Sequence, residues 1–232
     1  MSRSSYQPPT QFSVFPPVIK NLIILNVLIF VAQNVAVATN ADIMAGFLNL
    51  MALFPPAGGD QALSIFGGVT NNPGFWPWQL VTYAFLHGGF GHILFNMFAL
   101  WMFGMQLENV WGSHRFTIFY FVCVVGAALV HLGVIWGGNI PTVGASGGVY
   151  GVLIAFAMMF PNQPIYLYFL APVKAKWLVG ALVVFELFNG VTGTQNGVAH
   201  FAHLGGAAFG ALMLTYWRGQ LPFLKPDRVL RY

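Results

Sequence analysis

The sequence predicts an all-α membrane protein, a bundle of six transmembrane helices, and three observations lead to this fold class. Hydrophobic residues make up 57% of the chain and charged residues only 6%, whereas a soluble domain carries about 25% charged residues. Apolar runs recur near the length of about 20 residues that a helix needs to cross the hydrocarbon core. All basic residues also fall on one side of a six-span arrangement. We therefore expect a multi-pass membrane protein, because such a composition cannot cover a surface that faces water.

Six apolar runs follow one another along the chain, and each is a candidate span. They comprise residues 21–37, 89–107, 116–136, 145–160, 177–188 and 198–217. The fourth run is short, which is typical of a helix that begins below the membrane surface and is surrounded by its neighbours. The fifth run could begin as early as Pro172.

The spans and the segments around them predict one domain. We expect a six-span membrane domain over residues 18–218, a short cytoplasmic segment at 1–17 and a basic cytoplasmic tail at 219–232. The N-terminal segment is polar and contains proline, so we expect no cleaved signal peptide and an uncleaved anchor in the first span. Residues 39–77, between the first two spans, carry no Lys or Arg, and their apolar patch at 47–54 is too short to span. We expect a long, partly embedded loop at the membrane interface.

The basic residues predict the orientation of the bundle. Lys and Arg concentrate in the cytoplasmic loops of membrane proteins, and a six-span arrangement puts every one of them on the same face: Arg3, Lys20, Arg115, Lys174, Lys176, Arg218, Lys225, Arg228 and Arg231. A miscount by one span would scatter these charges over both faces. We therefore expect both termini in the cytoplasm and the protein in the plasma (inner) membrane. This placement also explains the basic charge balance without a nucleic-acid partner, and we expect none.

Two polar residues lie where hydrocarbon would penalise an unpaired polar group. Ser146 begins the fourth span after Gly144, and His203 lies in the sixth span. A serine in this setting is also common where small residues let two membrane helices approach. The stretch formally matches the G-x-S-x-G elbow of the α/β-hydrolases, but that motif needs a strand–turn–helix unit that the sequence lacks.

The glycines near both residues favour a close approach of the two helices. Gly147 and Gly151 follow Ser146, and Gly206 and Gly210 follow His203 at i+3 and i+7. Two such faces can pack closely, which would bring the serine and the histidine within hydrogen-bond reach. A neutral imidazole would then act as general base for a serine nucleophile.

His200, one turn before His203, is the competing base. No Asp or Glu stands out as a third catalytic residue, because Glu108 lies near the cytoplasmic end of the second span and Glu186 toward the outer end of the fifth. We therefore expect a dyad. Tyr150, one turn after Ser146, could orient the base by packing against it.

The second span carries two further polar residues on one face, His92 and Asn96, at i and i+4. Together with the backbone N–H of Ser146, both could donate hydrogen bonds to a developing alkoxide and form an oxyanion hole. A metal site is the rival interpretation, because four imidazoles lie in this region: His87, His92, His200 and His203. No Asp, Glu or Cys is expected to join them, so we expect neither a metal nor another cofactor.

Taken together, these motifs resemble those of the bacterial rhomboid intramembrane serine proteases. The matching motifs, found from about residue 77 to 217, are His92-x-x-x-Asn96, Gly144-x-Ser146-Gly147, Ala202-His203 with Gly206 and Gly210, Glu108-x-x-x-Gly112-Ser113, and Trp78. One departure is visible, because many relatives have Trp-Arg where this chain has Trp78-Gln79. The role of that arginine in the outer loop or in lipid contact is therefore not carried over.

The resemblance implies a role for each residue. It implies a Ser146–His203 dyad and an oxyanion held by His92, Asn96 and the Ser146 amide. Tyr150 would pack on the catalytic histidine and His87 would support a water-accessible cavity. Gly206 and Gly210 would seat the sixth helix against the fourth. The fifth span and the loop at 189–197 would act as a substrate gate.

The implied activity is that of a serine endopeptidase that cuts single-span membrane proteins in or near their transmembrane segments, surrounded by membrane lipids. Cleavage requires local unwinding of the substrate helix, which Gly or Pro makes less costly. Two alternatives remain from the sequence. One is a catalytically silent rhomboid-like protein that binds or routes single-span clients, and the other is a transporter or channel built on the polar cavity.

Overall fold

The apolar runs of the sequence become helices in the structure, a computed structural model that describes residues 12–167, 171–193 and 199–222. In chain order the elements are α1 (Pro17–Ala38), α2 (Asp42–Leu50), β1 (Gln61–Leu63), β2 (Val69–Asn71), α3 (Gln79–Thr82), a 3-10 turn (Tyr83–Phe85), α4 (Phe90–Ala99), a π-helical turn (Leu100–Gly104), α5 (Met105–Trp111), α6 (Ser113–Val134), α7 (Ser146–Met159), β3 (Pro164–Leu167), β4 (Ala171–Lys174), α8 (Ala175–Thr192) and α9 (His200–Trp217). The predicted all-α fold class is confirmed.

Four helical segments in the described part of the chain are long and apolar enough to cross a membrane. They are α1, the continuous helix Phe90–Trp111, α6 and α8. Helix α7 is shorter, with 14 residues, and α9 is made less apolar by two histidines and three glycines. Both of these helices lie at the centre, where α9 packs mainly on α7 and α6. The chain is therefore a multi-pass membrane protein, and the count of six spans stays a prediction.

Helix ends differ from the predicted spans by a few residues. The fifth run begins at Ala175, later than Pro172, because residues Ala171–Lys174 pair as β4 with β3. Helix α5 ends at Trp111, and the next residue, Gly112, has a φ of +80° that lets the chain turn directly into α6. A left-handed backbone of this kind favours glycine. The predicted gate loop at 189–197 begins inside α8, which continues to Thr192, and its residues 194–197 lie outside the described residues.

The segment between the first two spans is folded, so the prediction of a loop is incomplete. It contains α2 and an antiparallel hairpin in which Ala62 faces Thr70. Ala52, Leu53 and Phe54 are fully buried in this segment. Leu53 also exchanges both backbone hydrogen bonds with Thr142, in the stretch that leads into α7. The outer segment is therefore packed against the chain that positions the candidate site.

Gln79 holds this outer segment together. Its side chain has no exposed surface. Its Oε1 accepts hydrogen bonds from the backbone N–H groups of Phe54 and Trp76, at 3.1 and 3.3 Å. Its Nε2 donates to the carbonyl oxygens of Leu50 and Gly74, each at 3.2 Å. An arginine here would offer only donors, so it could not accept the hydrogen bonds from the N–H groups of Phe54 and Trp76.

Glu108 joins the N-terminal turn of α1 to α5, at the end of the bundle opposite the outer segment. Its carboxylate accepts hydrogen bonds from the backbone N–H groups of Val18 and Ile19, both at 2.9 Å. These groups belong to the first turn of α1, where backbone donors lack partners within the helix. The hydroxyl of Ser113 donates to the same carboxylate at 2.7 Å. Glu108 therefore joins α1, α5 and α6 and lies far from the candidate site.

Replacing Gln79 with alanine should destabilise the protein by about 2 kcal/mol or more, because the buried N–H of Phe54 and its neighbours lose their partner. Thermal unfolding in detergent measures this loss. Gln163→Ala, at an exposed glutamine, is the matched control and should leave the midpoint unchanged. Equal midpoints for both variants would contradict the role given to Gln79.

Candidate active site

Ser146 and His203 form a direct hydrogen bond. Ser146 is the first residue of α7 and His203 lies in the first turn of α9. The distance from Ser146 Oγ to His203 Nε2 is 2.7 Å. The structure thus brings together the two residues that the sequence singled out as nucleophile and base, from positions 57 residues apart.

Glycines allow the backbones of α7 and α9 to touch. A methyl group at Gly206 would overlap the carbonyl oxygen of Gly147. One at Gly210 would lie 2.9 Å from the Cα of Gly151, closer than carbon atoms pack. Side chains at these positions would push the helices apart and separate the serine from the histidine. This geometry accounts for the small-residue faces that the sequence places beside both groups.

Gly144 shapes the turn that leads into α7. Its φ of +127° favours glycine, and its N–H donates to the carbonyl oxygen of Tyr83 at 2.9 Å. A methyl group here would lie 2.6 Å from His92 Nε2 and 3.6 Å from Ser146 Oγ. The absence of a side chain therefore leaves His92 Nε2 and the serine hydroxyl on either side of one small space.

His92, Asn96 and the N-terminus of α7 supply hydrogen-bond donors to this space. His92 Nδ1 accepts a hydrogen bond from the N–H of Gly88 at 3.3 Å, so the ring proton of a neutral His92 lies on Nε2. Asn96 Nδ2 is buried and has no hydrogen-bond partner among the described residues. The first N–H groups of α7 have no acceptor within their own helix. These are the donors that an oxyanion hole requires.

A cavity of about 600 Å³ connects these groups. Its wall includes His92, Asn96, Ser146, Tyr150 and His203. Thr142 and His131 also line it and are joined by a 2.7 Å hydrogen bond between Thr142 Oγ1 and His131 Nε2. This pair was not predicted, because nothing in the sequence distinguishes His131 from a histidine buried at a helix contact.

Tyr150 packs face to face on the imidazole of His203. The ring centroids are 4.5 Å apart and the planes differ by 6°. This is the packing that the resemblance implies for Tyr150. Its hydroxyl donates to Glu186 Oε1 at 2.5 Å, so the tyrosine also contacts a group for which the sequence analysis gave no role.

Glu186 lies beside the base, so the expectation that no acidic residue joins the imidazoles of this region is wrong. Its Oε1 is 3.0 Å from His203 Nδ1, and its Oε2 is 2.6 Å from His200 Nδ1. Only 5% of the residue is exposed. One signal in the sequence could have found it, because an acidic residue inside an apolar span is costly and usually functional.

His200, the competing base, lies on the other side of this carboxylate. Its Nδ1 faces Glu186, and its Nε2 has no hydrogen-bond partner among the described residues. The serine hydroxyl is bonded to His203 instead. Glu186, His200 and His203 each bring one ligand atom within 4.8 Å of the others, which is close enough for a metal ion. Their separations of 2.6 and 3.0 Å are those of N–H groups facing carboxylate oxygens.

His87 lies behind His92 and outside the cavity that contains Ser146. Its ring meets that of His92 edge-on, with centroids 5.0 Å apart. Its backbone is held by Gln33 of α1, which both accepts from its N–H and donates to its carbonyl. Burial, followed by the nearby His92, lowers the pKa of His87 to about 3, so this residue stays neutral. It lines a separate cavity of about 410 Å³ with Gln33, and its contact with the cavity that contains Ser146 is through the ring of His92.

The fold and the site define the class of the protein: a helical, multi-pass membrane protein with a hydrogen-bonded serine–histidine pair in a cavity lined by donors. The family model for the Rhomboid domain matches residues 75–220, more than half of the chain. The chain belongs to the rhomboid family, which confirms the resemblance found in the motifs.

The curated relatives include proteins from plants, fungi, mammals and bacteria. The chain is 31% identical to "RHOMBOID-like protein 4" of Arabidopsis thaliana over 91% of this chain and 56% of the relative. It is 30% identical to "Rhomboid protein 1, mitochondrial" of Saccharomyces cerevisiae over 60% of this chain and 41% of the relative. It is also 30% identical to "Putative rhomboid protease YdcA" of Bacillus subtilis, over 60% of this chain and 66% of the relative. The chain spans about half the length of the first two.

Gly206→Ala should destabilise the protein by about 1–3 kcal/mol, as overpacking of a tight contact does, and should weaken the reactivity of Ser146 by separating it from His203. The thermal midpoint and the rate of labelling by a serine-reactive fluorophosphonate measure the two effects. Gly180→Ala is the control, because a methyl group at Gly180 in α8 meets open space. If Gly206→Ala behaves like Gly180→Ala, the close approach of α7 and α9 is not required.

Proposed function

We propose that the protein is an intramembrane serine endopeptidase, which hydrolyses peptide bonds in or near the transmembrane segments of other membrane proteins. The observation that carries the proposal is the 2.7 Å contact between Ser146 Oγ and His203 Nε2. It lies in a cavity that also contains His92 and Asn96. Family membership supports this function, and one relative bears the name of a putative protease.

The chemistry follows from the positions of these groups. His203 Nε2 accepts the hydroxyl proton while Ser146 Oγ attacks the scissile carbonyl carbon. The carbonyl oxygen becomes an oxyanion, stabilised by the Ser146 N–H, His92 Nε2–H and Asn96 Nδ2–H. His203 then gives the proton to the leaving amine, and the peptide bond breaks to leave an acyl ester on Ser146. Water, activated by the same imidazole, hydrolyses the ester and restores the enzyme.

The route to this site also belongs to the proposal. Ser146 begins α7 on the membrane side opposite the basic residues, so its cavity opens toward the exterior if the termini are cytoplasmic. Helix α8 presents exposed apolar side chains, such as Val184 and Phe188, to lipid or to an arriving substrate helix. We assign α8 the role of a gate for single-span substrates, whose helices must unwind to expose a peptide bond. The plasma membrane is the proposed location.

Fluorophosphonate labelling of the purified protein tests the nucleophile. The wild type should be labelled, and Ser146→Ala should not be, because the reactive oxygen is gone. His203→Ala should reduce the rate by a factor of about 10³ or more. Ser13→Ala, a serine outside the cavity, should react like the wild type. Labelling of Ser146→Ala at the wild-type rate would disprove the assignment, and binding of clients without cleavage by the wild type would favour the silent, client-binding alternative.

The proposed oxyanion donors can be tested separately from the nucleophile. Asn96→Ala and His92→Ala should each lower kcat for a transmembrane substrate by roughly 10²–10³, with little change in KM, because the lost bond forms only in the transition state. Asn34→Ala, an exposed asparagine of α1, is the control. A rise in KM at constant kcat would show that these residues bind substrate rather than stabilise the oxyanion.

A further inference from the structure

We propose that Glu186 is a positioning residue for the base, which holds the proton of His203 on Nδ1 and stabilises the imidazolium that forms as Ser146 attacks. This inference rests on the proposed protease function. It replaces the serine–histidine dyad by a chain of three groups, Ser146, His203 and Glu186, contributed by α7, α9 and α8.

The placement of Nδ1 leads to this inference. A neutral imidazole carries one proton, and His203 Nε2 must be free of it to accept the hydroxyl proton of Ser146. The proton therefore belongs on Nδ1. That atom is buried and has no aligned hydrogen-bond partner among the described residues, yet Glu186 Oε1 is only 3.0 Å away. The two atoms are therefore at ion-pair distance, although they do not meet the angular requirement of a hydrogen bond.

Glu186 is itself held in place from two helices. The Tyr150 hydroxyl of α7 donates to Oε1 at 2.5 Å, and His200 Nδ1 of α9 is 2.6 Å from Oε2. The carboxylate therefore has partners on both oxygens. Tyr150 acts twice, because its ring also stacks on His203. Imidazole and carboxylate are thus fixed relative to each other by the same tyrosine.

The charge of Glu186 distinguishes this role from a purely structural one. The titratable and polar groups that contact His203 or line its cavity are Ser146, Tyr150, Glu186, His200, His92, Asn96, His131 and Thr142. Of these described neighbours only Glu186 is an acid that carries negative charge at neutral pH. A glutamine could still join α8 to α7 and α9, because its amide both accepts and donates hydrogen bonds. It could not stabilise a cation on His203.

The test compares four variants of the full-length protein in detergent: Glu186→Gln, Glu186→Asp, Tyr150→Phe and Glu108→Gln. The fluorophosphonate labelling rate of Ser146 is measured against pH, together with the thermal midpoint. Glu186→Gln should lower the rate at neutral pH by about tenfold or more. In the plot of rate against pH, the fall in rate on the acid side (the acid limb) reports the protonation of His203. For Glu186→Gln this acid limb should move to lower pH, because the imidazolium loses its counter-charge. Glu186→Asp keeps the charge and should keep the acid limb near that of the wild type.

Two further variants keep the proposal falsifiable if Glu186→Gln does not fold. Tyr150→Phe retains the stacked ring but removes a donor to the carboxylate, so the acid limb should move to higher pH. Glu108→Gln removes a buried carboxylate that is hydrogen-bonded only to α1 and Ser113 in the described chain. It should lower the thermal midpoint and leave the acid limb unchanged.

The outcomes separate this inference from the protease proposal. If the wild type is labelled but neither Glu186→Gln nor Tyr150→Phe moves the acid limb, Glu186 is only a structural contact and the inference is overturned. The inference is also overturned if the rate of Glu186→Gln falls only in proportion to its loss of folded protein, as is expected for Glu108→Gln. If the wild type itself is not labelled at Ser146, the proposed function fails before the role of Glu186 arises.

Discussion

The close approach of α7 to α9 is the constraint on which the rest of the structure depends. Two helices in lipid gain nothing from the hydrophobic effect when they meet, so they associate through van der Waals contact and hydrogen bonds. Gly147 meets Gly206, and Gly151 meets Gly210, at separations that leave no room for a methyl group. Helix α6 closes the third side, where Gly147 faces Ala127 and Gly205 faces Val130. This close approach lets Ser146, at the start of α7, and His203, in the first turn of α9, share a proton.

Two buried carboxylates in the described bundle, Glu108 and Glu186, each have polar partners inside it. A carboxylate in a membrane interior is stable only when it is paired or in contact with water. Glu108 meets this condition with two backbone N–H groups and a serine hydroxyl, and Glu186 meets it with two imidazoles and a phenol. The two carboxylates differ in what their partners do. The partners of Glu108 are fixed donors that join helices, whereas a partner of Glu186 gains and loses a proton in the proposed reaction.

The sequence predicted the helices well because the membrane itself dictates their length and composition. The outer segment was harder, since α2 has nine residues and each strand of its hairpin has three, too short for a periodic pattern to show. The hydrogen bonds of Gln79 cross from residue 50 to residue 79 and follow from no local rule. The motif residues of the site were predictable from their order and spacing. Glu186 was not placed beside His203, because the apolar run of α8 defines its length but not the rotation that turns Glu186 inward.

The electrostatics of the site have a direction that matches the proposed proton transfer. The N-terminus of α7, with its positive helix end, lies at Ser146, where the oxyanion would form, and His92 and Asn96 add donors on that side. Glu186 lies on the opposite edge of the His203 ring, against Nδ1. A proton that moves from Ser146 to His203 therefore moves toward the carboxylate, while the negative charge left behind stays with the donors. The oxyanion would thus be stabilised by the hydrogen-bond donors and the imidazolium by Glu186. The glycine contacts between α7 and α9 hold these groups in position.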